Sequence, residues 1–193
     1  MATQPGRRPE SRLGRKQDEN LGETILAATR ALLLERGYDS FNTRDVASRA
    51  ETGSGAIYRR WASKESLVAE AIRTGGELSY ESSSDPAADF INLVQARATL
   101  ATTHPDFTPG VISAMRASDE INDAMQQVHT TNAYQEVLER LLGPDQPHMG
   151  LLAELAPAII VHRTIFGGHD LDPEQFGKDV LALVQALADQ PAP

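Results

Sequence analysis

Residues 43 to 67, reading TRDVASRAETGSGAIYRRWASKESL, admit few folds. Val46, Ala47 and Ala50 fall at i, i+1 and i+4, one face of a helix, and Ile57 and Trp61 stand four apart, one face of a second. Glu51-Thr52-Gly53 separates the two, so these faces close on each other across a short turn. The spacing then leaves Ser54, Ala56, Tyr58, Arg59 and Arg60 outward on the second helix: small residues, one phenol and two guanidiniums. Small residues at the helix start, Gly55 among them, let the backbone approach a partner closely. A helix N-terminus attracts phosphate, and guanidiniums donate paired hydrogen bonds to guanine or phosphate. That chemistry suits a helix laid in a DNA groove, as the second helix of a helix-turn-helix is.

The flanks extend the pattern. From about Asp18 to Arg36 the residues Leu21, Ile25, Ala28, Leu32 and Leu33 keep a helical period that Gly37 ends. Thr43 opens the next helix as a cap, with Asp45 in its first turn, and its hydroxyl is placed to touch phosphate. Ser63-Lys64-Glu65-Ser66 starts a fourth helix running to about Thr74, whose N-terminus and Lys64 can hold a phosphate together.

Residues 21 to 67 resemble the N-terminal domain of the tetracycline-repressor (TetR) family of bacterial transcription regulators. The resemblance rests on an ordered set: a first helix ending in Glu35-Arg36-Gly37-Tyr38 before Phe41 and Thr43, then Ala56-x-Tyr58-x-x-Trp61, then Ser63-Lys64-Glu65 before Leu67. Five positions depart from the family pattern. Glu51 stands where glycine is usual, Thr52 where an apolar residue is common, and Gly53 where serine commonly caps the reading helix. A left-handed Glu51 costs on the order of 1 kcal/mol, and glycine caps nearly as well as threonine. Residues 53, 54 and 56 also differ from the commoner Ser, Lys and Thr, which bears on base preference.

The resemblance implies an all-α protein: an N-terminal three-helix helix-turn-helix DNA-binding domain followed by a larger helical ligand-binding and dimerisation domain. We divide the chain into a disordered basic arm (1–18), a DNA-binding domain (19–75) and a C-terminal domain (76–193). Gly75-Gly76 and Ser82-Ser83-Ser84-Asp85-Pro86 mark the break. The arm carries Arg7, Arg8, Arg12, Arg15 and Lys16 with almost nothing apolar. It reads either as a solvated tail or as a segment that reaches into a minor groove. Base reading is expected from Arg44, Ser54, Ala56 and Arg59, with Gly55 giving close approach. Phosphate positioning is expected from Thr43, Tyr58, Arg60 and Lys64, and Ile57 and Trp61 hold the helix.

The net charge of −9 fits DNA poorly until the chain is divided. Residues 1 to 73 carry 13 basic against 10 acidic side chains, and residues 74 to 193 carry 5 against 17, so a basic head sits on an acidic body. Local charge governs counterion release, and screening removes the distant acidic field within about 8 to 10 Å at physiological salt.

Beyond Pro86 the sequence predicts helices over about 87–103, 107–117, 119–142, 148–167 and 173–189, with no strand pattern. The last two are the most apolar. Leu151, Leu152, Leu155, Ile159 and Phe166, then Val180, Leu183, Val184 and Leu187, form stripes wider than one small body buries, and the resemblance implies a homodimer through these helices. It also implies a small-molecule pocket in the body, for which Phe90, Val94, Arg97, Phe107, Met115, Met125, His129, His162 and Phe166 are the candidate walls. Pro157 is expected to kink its helix.

Other classes find less support. Zero cysteines exclude disulfides and thiolate metal sites and fit a reducing cytoplasm. No two of the five histidines are three or four residues apart, and there is no nucleophile elbow or phosphate-binding glycine loop. No uninterrupted run of about 18 apolar residues suggests a membrane span. The expectation is therefore a cytoplasmic, cofactor-free, non-enzymatic protein whose partners are double-stranded operator DNA, a small molecule and a second copy of itself. We read it as a repressor released from its operator by that molecule; the alternatives are a ligand-independent regulator or activator of the same fold, and a helical-bundle enzyme or metal binder.

Overall fold

The structure, a computed structural model, describes residues 12–75, 82–128, 131–167 and 171–189. Every regular element among them is helical: α1 (Arg12–Arg36), a 3-10 turn (Tyr38–Ser40), α2 (Thr43–Arg49), α3 (Ser54–Tyr58), α4 (Lys64–Thr74), α5 (Pro86–Thr103), α6 (Phe107–Ala117), α7 (Asp119–Val128), α8 (Thr131–Leu142), α9 (Met149–Phe166) and α10 (Pro173–Ala188).

Two boundaries differ from the sequence reading. α1 begins at Arg12 rather than near Asp18, because Arg12 to Asn20 consists mostly of residues that tolerate a helix well, so residues 12–18 of the expected arm are helix. The residues before it lie outside the described chain. The stretch 119–142 is two helices, α7 and α8, on either side of residues 129–130, which are likewise outside it.

The helix starts follow local chemistry. Asn42, not Thr43, caps α2: its Oδ1 accepts from the backbone N–H of Arg44 and Asp45, while Asp45 Oδ2 accepts from the Asn42 N–H at 2.7 Å. That reciprocal box satisfies donors the helix leaves open, worth about 1 kcal/mol, and its signal, Asn42-x-x-Asp45, was legible in the chain. Asp85-Pro86 and Asp172-Pro173 start α5 and α10 alike, with the aspartate accepting from two backbone N–H groups and proline in the first turn, where its missing donor costs nothing.

Apolar side chains gather in two cores. The first joins Ile25 and Leu32 of α1, Val46, Ile57, Trp61, and Leu67 and Val68 of α4 to Val111 and Ala114 of α6 and Ile121 and Ala124 of α7. The second joins Phe90 and Val94 of α5, Tyr134 and Leu138 of α8, Leu152 of α9 and Val184 of α10. Each large side chain so buried contributes roughly 1.5–3 kcal/mol. The packing therefore does not follow the break near residue 76: α6 and α7 belong to the same core as the helix-turn-helix.

In that shared core glycine packs on glycine. Gly37 takes φ +68 as α1 ends, and a Cβ on Gly110 of α6 would lie 2.8 Å from both Gly37 Cα and Tyr38 N. Beside this contact Ser113 Oγ donates to Asp39 Oδ2 at 2.9 Å. In the second core Asp89, 4% exposed, accepts from Ser83 N and Oγ and from Arg140 Nη1, tying the start of α5 to α8. Those donors hold the Asp89 carboxyl below the usual carboxylate range, so the tie is intact at neutral pH and is lost as pH falls through that lowered value.

α9 runs helical through Pro157 and is long and apolar enough by composition to cross a membrane, though Glu154 and Arg163 interrupt it. It lays Leu152, Ala153, Ala156 and Ile160 on the second core and leaves Leu151, Ile165 and Phe166 exposed; α10 likewise buries Val180 and Val184 and exposes Leu183 and Leu187.

Candidate nucleic-acid interface

The turn between α2 and α3 explains how the second helix is presented. Glu51 takes φ +50, with its N–H on Ser48 O and the N–H of Thr52 on Ala47 O, which is the two-bond ending glycine usually supplies. Here a glutamate supplies it, at a cost of about 1 kcal/mol. Gly53 precedes α3 in extended conformation with no side-chain cap. Ile57 and Trp61, 0% and 5% exposed, then anchor α3, and Trp61 Nε1 donates to Glu70 Oε2 at 2.8 Å.

This arrangement turns Arg44, Gly55, Tyr58 and Arg59 to solvent and leaves Ser54 half-buried beside them. The Arg59 guanidinium lies back along the helix over Gly55, where a Cβ would meet its Nη1 at 3.7 Å. Thr43 Oγ1 and the Tyr58 hydroxyl share a hydrogen bond of 2.8 Å across α2 and α3, with the Tyr58 ring largely exposed. The Thr43 side chain is buried, so it positions the phenol rather than facing solvent. Two guanidiniums, a phenol and a glycine gap on one face can donate to phosphate oxygens and to base edges.

Besides Thr43, three sequence assignments change. Ala56 is 6% exposed and lies in the packed side of α3, so it offers no groove surface. Arg60 is half-buried: Nη1 donates to Ala56 O at 2.9 Å, and Nη2 donates to the Asp18 backbone carbonyl and pairs with its carboxylate. It clips the N-terminal part of α1 to α3. Lys64 donates to Tyr38 O at 2.5 Å and Phe41 O at 2.6 Å, and its ammonium sits 4.0 Å and 4.4 Å from the centres of those two rings. Burial pulls its pKa down, against the raising effect of Asp39, Glu65 and Asp45. A cation so held braces the Gly37–Phe41 turn with two of its three N–H donors. Beside it the Tyr38 hydroxyl donates to Glu65 Oε1 at 2.8 Å; burial first, and then that carboxylate, push the phenol's pKa up.

The correction at Lys64 changes an expected result. Lys64→Ala should lower stability by about 1–3 kcal/mol through loss of charge-assisted hydrogen bonds, while the slope of DNA affinity against log salt stays at the wild-type value. Denaturant unfolding and a salt-titrated binding series check both halves; a slope flattened by about one unit would return Lys64 to the phosphate contacts.

The candidate ligand residues do not converge on one enclosure. Phe90 and Val94 are buried in the second core, with Arg97 on the same face of α5. Phe107, Met115 and Met125 instead pack against the first core. His162 and Phe166 stand on the exposed side of α9 with ring centres 5.1 Å apart, at an open groove of ≈ 620 Å³ lined by Ala158, Ile159, His162, Arg163 and Gly167. His129 lies outside the described residues. Among the described residues no three histidine or carboxylate side chains cluster as metal ligands do.

Residues 25–71 match the family model described as bacterial regulatory proteins, tetR family. The HTH-type transcriptional regulator YdeS of Bacillus subtilis (strain 168) is 27% identical over 130 residues, 65% of this chain and 63% of that protein, so the match spans just under two thirds of that relative's length. The DNA-binding transcriptional repressor TetR of Mycobacteroides abscessus is 25% identical over 181 residues, 86% of this chain and 94% of that one. A transcriptional regulator from Pseudomonas aeruginosa PAO1 superposes with a TM-score of 0.65 at 19% identity, over 93% of this chain and 95% of that one, a likeness of fold. The helix-turn-helix that presents Arg44, Tyr58 and Arg59 lies within the segment matched by the family model, so residues 25–71 form a DNA-binding domain of the tetR type.

Proposed function

We propose that the protein acts as a homodimeric repressor that leaves its operator when a small molecule binds the helical body. The observation that carries this reading is the pairing of two surfaces on one chain: a guanidinium and phenol face on α2 and α3, and an uncovered apolar face on α9 and α10 formed by Leu151, Ile165, Phe166, Leu183 and Leu187. A second copy laid on the apolar face gives two reading helices fixed relative to one another. They enter successive major grooves only when their separation matches one turn of DNA, about 34–36 Å. The M. abscessus relative, called a repressor, supports the direction of control.

Release follows from linkage. A molecule that binds better to a dimer with another head separation weakens DNA binding, typically by 1–3 kcal/mol. The joint through which such a change would pass is α6 against the 3-10 turn, since α6 shares a core with the head and touches it backbone to backbone.

The test is a titration of the protein against duplex DNA from upstream of its own gene, at two salt concentrations, beside a scrambled duplex. Tight, salt-sensitive and sequence-selective binding is expected. Arg59→Ala should weaken it by about 1–3 kcal/mol and relax base preference. Equal affinity of wild type and variant for both duplexes would dismiss α3 as the reader.

A further inference from the structure

One inward stripe of α5 is apolar except at a single position. Phe90, Val94, Arg97 and Ala101 recur at i, i+4, i+7 and i+11, and every one but Arg97 is a hydrocarbon buried in the second core. Arg97 Nη2 is buried and has no hydrogen-bond partner among the described residues. Facing α5 from α8, Tyr134 stands on a similar stripe with Val137 and Leu138, is 1% exposed, and packs edge-on against Phe90 with ring centres 6.1 Å apart. Its hydroxyl is also without a partner among the described residues. The two groups are close enough for the charge of Arg97 to act on the phenol, and burial nonetheless pushes the Tyr134 pKa up to about 12, so it remains a neutral O–H donor.

A buried donor without an acceptor forfeits its water hydrogen bonds, and a buried guanidinium without an anion forfeits more. The body does not lack carboxylates: residues 74 to 193 carry 17 of them against 5 basic groups. Among the described residues its one buried acid, Asp89, is taken by Ser83 and Arg140. Among the described residues the second core thus holds one buried N–H of a half-buried guanidinium and one phenol O–H, set beside hydrocarbon, with no acceptor for either.

We infer that Arg97 and Tyr134 form the anion end of the effector site, and that the effector is an apolar carboxylic acid whose carboxylate accepts from both groups while its hydrocarbon part packs against α5 and α8. The inference rests on the proposal that a small molecule binds the body and names its chemical class. A carboxylate fits because its two oxygens take parallel hydrogen bonds from a guanidinium and still accept from a phenol. A neutral amide of the same shape leaves the guanidinium uncompensated. Arg97 is therefore a group that costs the unliganded protein stability and returns it on binding.

The test compares octanoate and benzoate with octanamide and benzamide, on wild type, Arg97→Leu and Tyr134→Phe, by thermal unfolding and by calorimetric titration of the full chain. At least one acid is expected to raise the melting temperature of wild type and to bind at least about tenfold more tightly than its amide. Arg97→Leu should abolish that preference and, without ligand, melt above wild type, because it removes an unpaired charge and keeps apolar volume. Tyr134→Phe should weaken the acid more than the amide, because the lost hydroxyl bond is stronger to a charged oxygen. Acids that do not bind up to millimolar concentration, acids and amides that bind alike, or an Arg97→Leu protein that melts below wild type would each overturn the inference. Operator binding is read in parallel. An acid that binds without releasing DNA leaves the anion site standing and defeats the ligand-release proposal, whereas release of wild type and Arg97→Leu alike by the amides upholds release and defeats the anion site.

Discussion

Trp61→Ala is expected to abolish operator binding and to cut stability by about 3–5 kcal/mol, the range for removing a large aromatic from a packed core. Domains of this kind hold only about 5–15 kcal/mol in total, and 1 kcal/mol moves the melting temperature of a chain this size by roughly 2–4 °C, so a loss of about 6–20 °C follows. The indole is 5% exposed, sits in the first core, and donates to Glu70, so the substitution opens a cavity and strips a carboxylate of its donor at once. Its effect on DNA is indirect. α3 is only five residues long and is held by Ile57 and Trp61, so losing one of the two frees Tyr58 and Arg59 from a fixed geometry. Thermal unfolding beside operator titration checks both effects; a variant that melts within a couple of degrees of wild type and binds as tightly would show that α3 is held by something else.

Gly110→Val should be nearly as damaging, by the opposite route. Within a helix, replacing glycine ordinarily helps, by up to about 1 kcal/mol. Here the new Cβ would lie 2.8 Å from Gly37 Cα and from Tyr38 N, both backbone atoms that cannot rotate away. Overpacking of this kind costs about 1–3 kcal/mol, occasionally more, and exceeds the propensity gain, most clearly for a branched side chain. α6 must move off the turn, and the turn carries the Tyr38 and Phe41 carbonyls that enclose Lys64. The expected result is a melting temperature lower by several degrees and weaker operator binding, with Gly110→Ala affected in the same direction but less. An unchanged melting temperature in the valine variant would mean that the contact yields without resistance.

The sequence made the head legible where side-chain period decides the outcome. Val46, Ile57 and Trp61 are large or β-branched groups at helical spacing, and their burial follows from that spacing alone. Arg44, Tyr58 and Arg59 are exposed because the same period leaves them no interior to enter. The failures share a different cause. Lys64 is held by two main-chain carbonyls, and no pattern of side chains announces a carbonyl in the right place. Arg60 was misjudged together with the start of α1: with Arg12 to Asp18 taken for an arm, nothing in the chain suggested that Asp18 would lie against it. The body was legible as helices and as two apolar stripes. Its candidate pocket was not, since whether Phe107 or Met115 faces one core or the other depends on which helices α6 crosses. Tyr134 went unnoticed because a tyrosine on an apolar stripe usually finds a partner for its hydroxyl, and only the packed structure shows none for it among the described residues.

The core shared by the helix-turn-helix, α6 and α7 limits what can be exchanged between proteins of this architecture. A chimera that takes residues 12 to 75 and joins them to a foreign body leaves Val111, Ala114, Ile121 and Ala124 behind, and with them the glycine seat on which the first turn rests. The transplantable unit is thus two separated stretches of chain, which a single recombination crossover between α4 and α5 would sever. Changing the operator by swapping heads is closed to such a protein. Changing the few side chains on the outer face of α2 and α3, which touch no part of that seat, remains open.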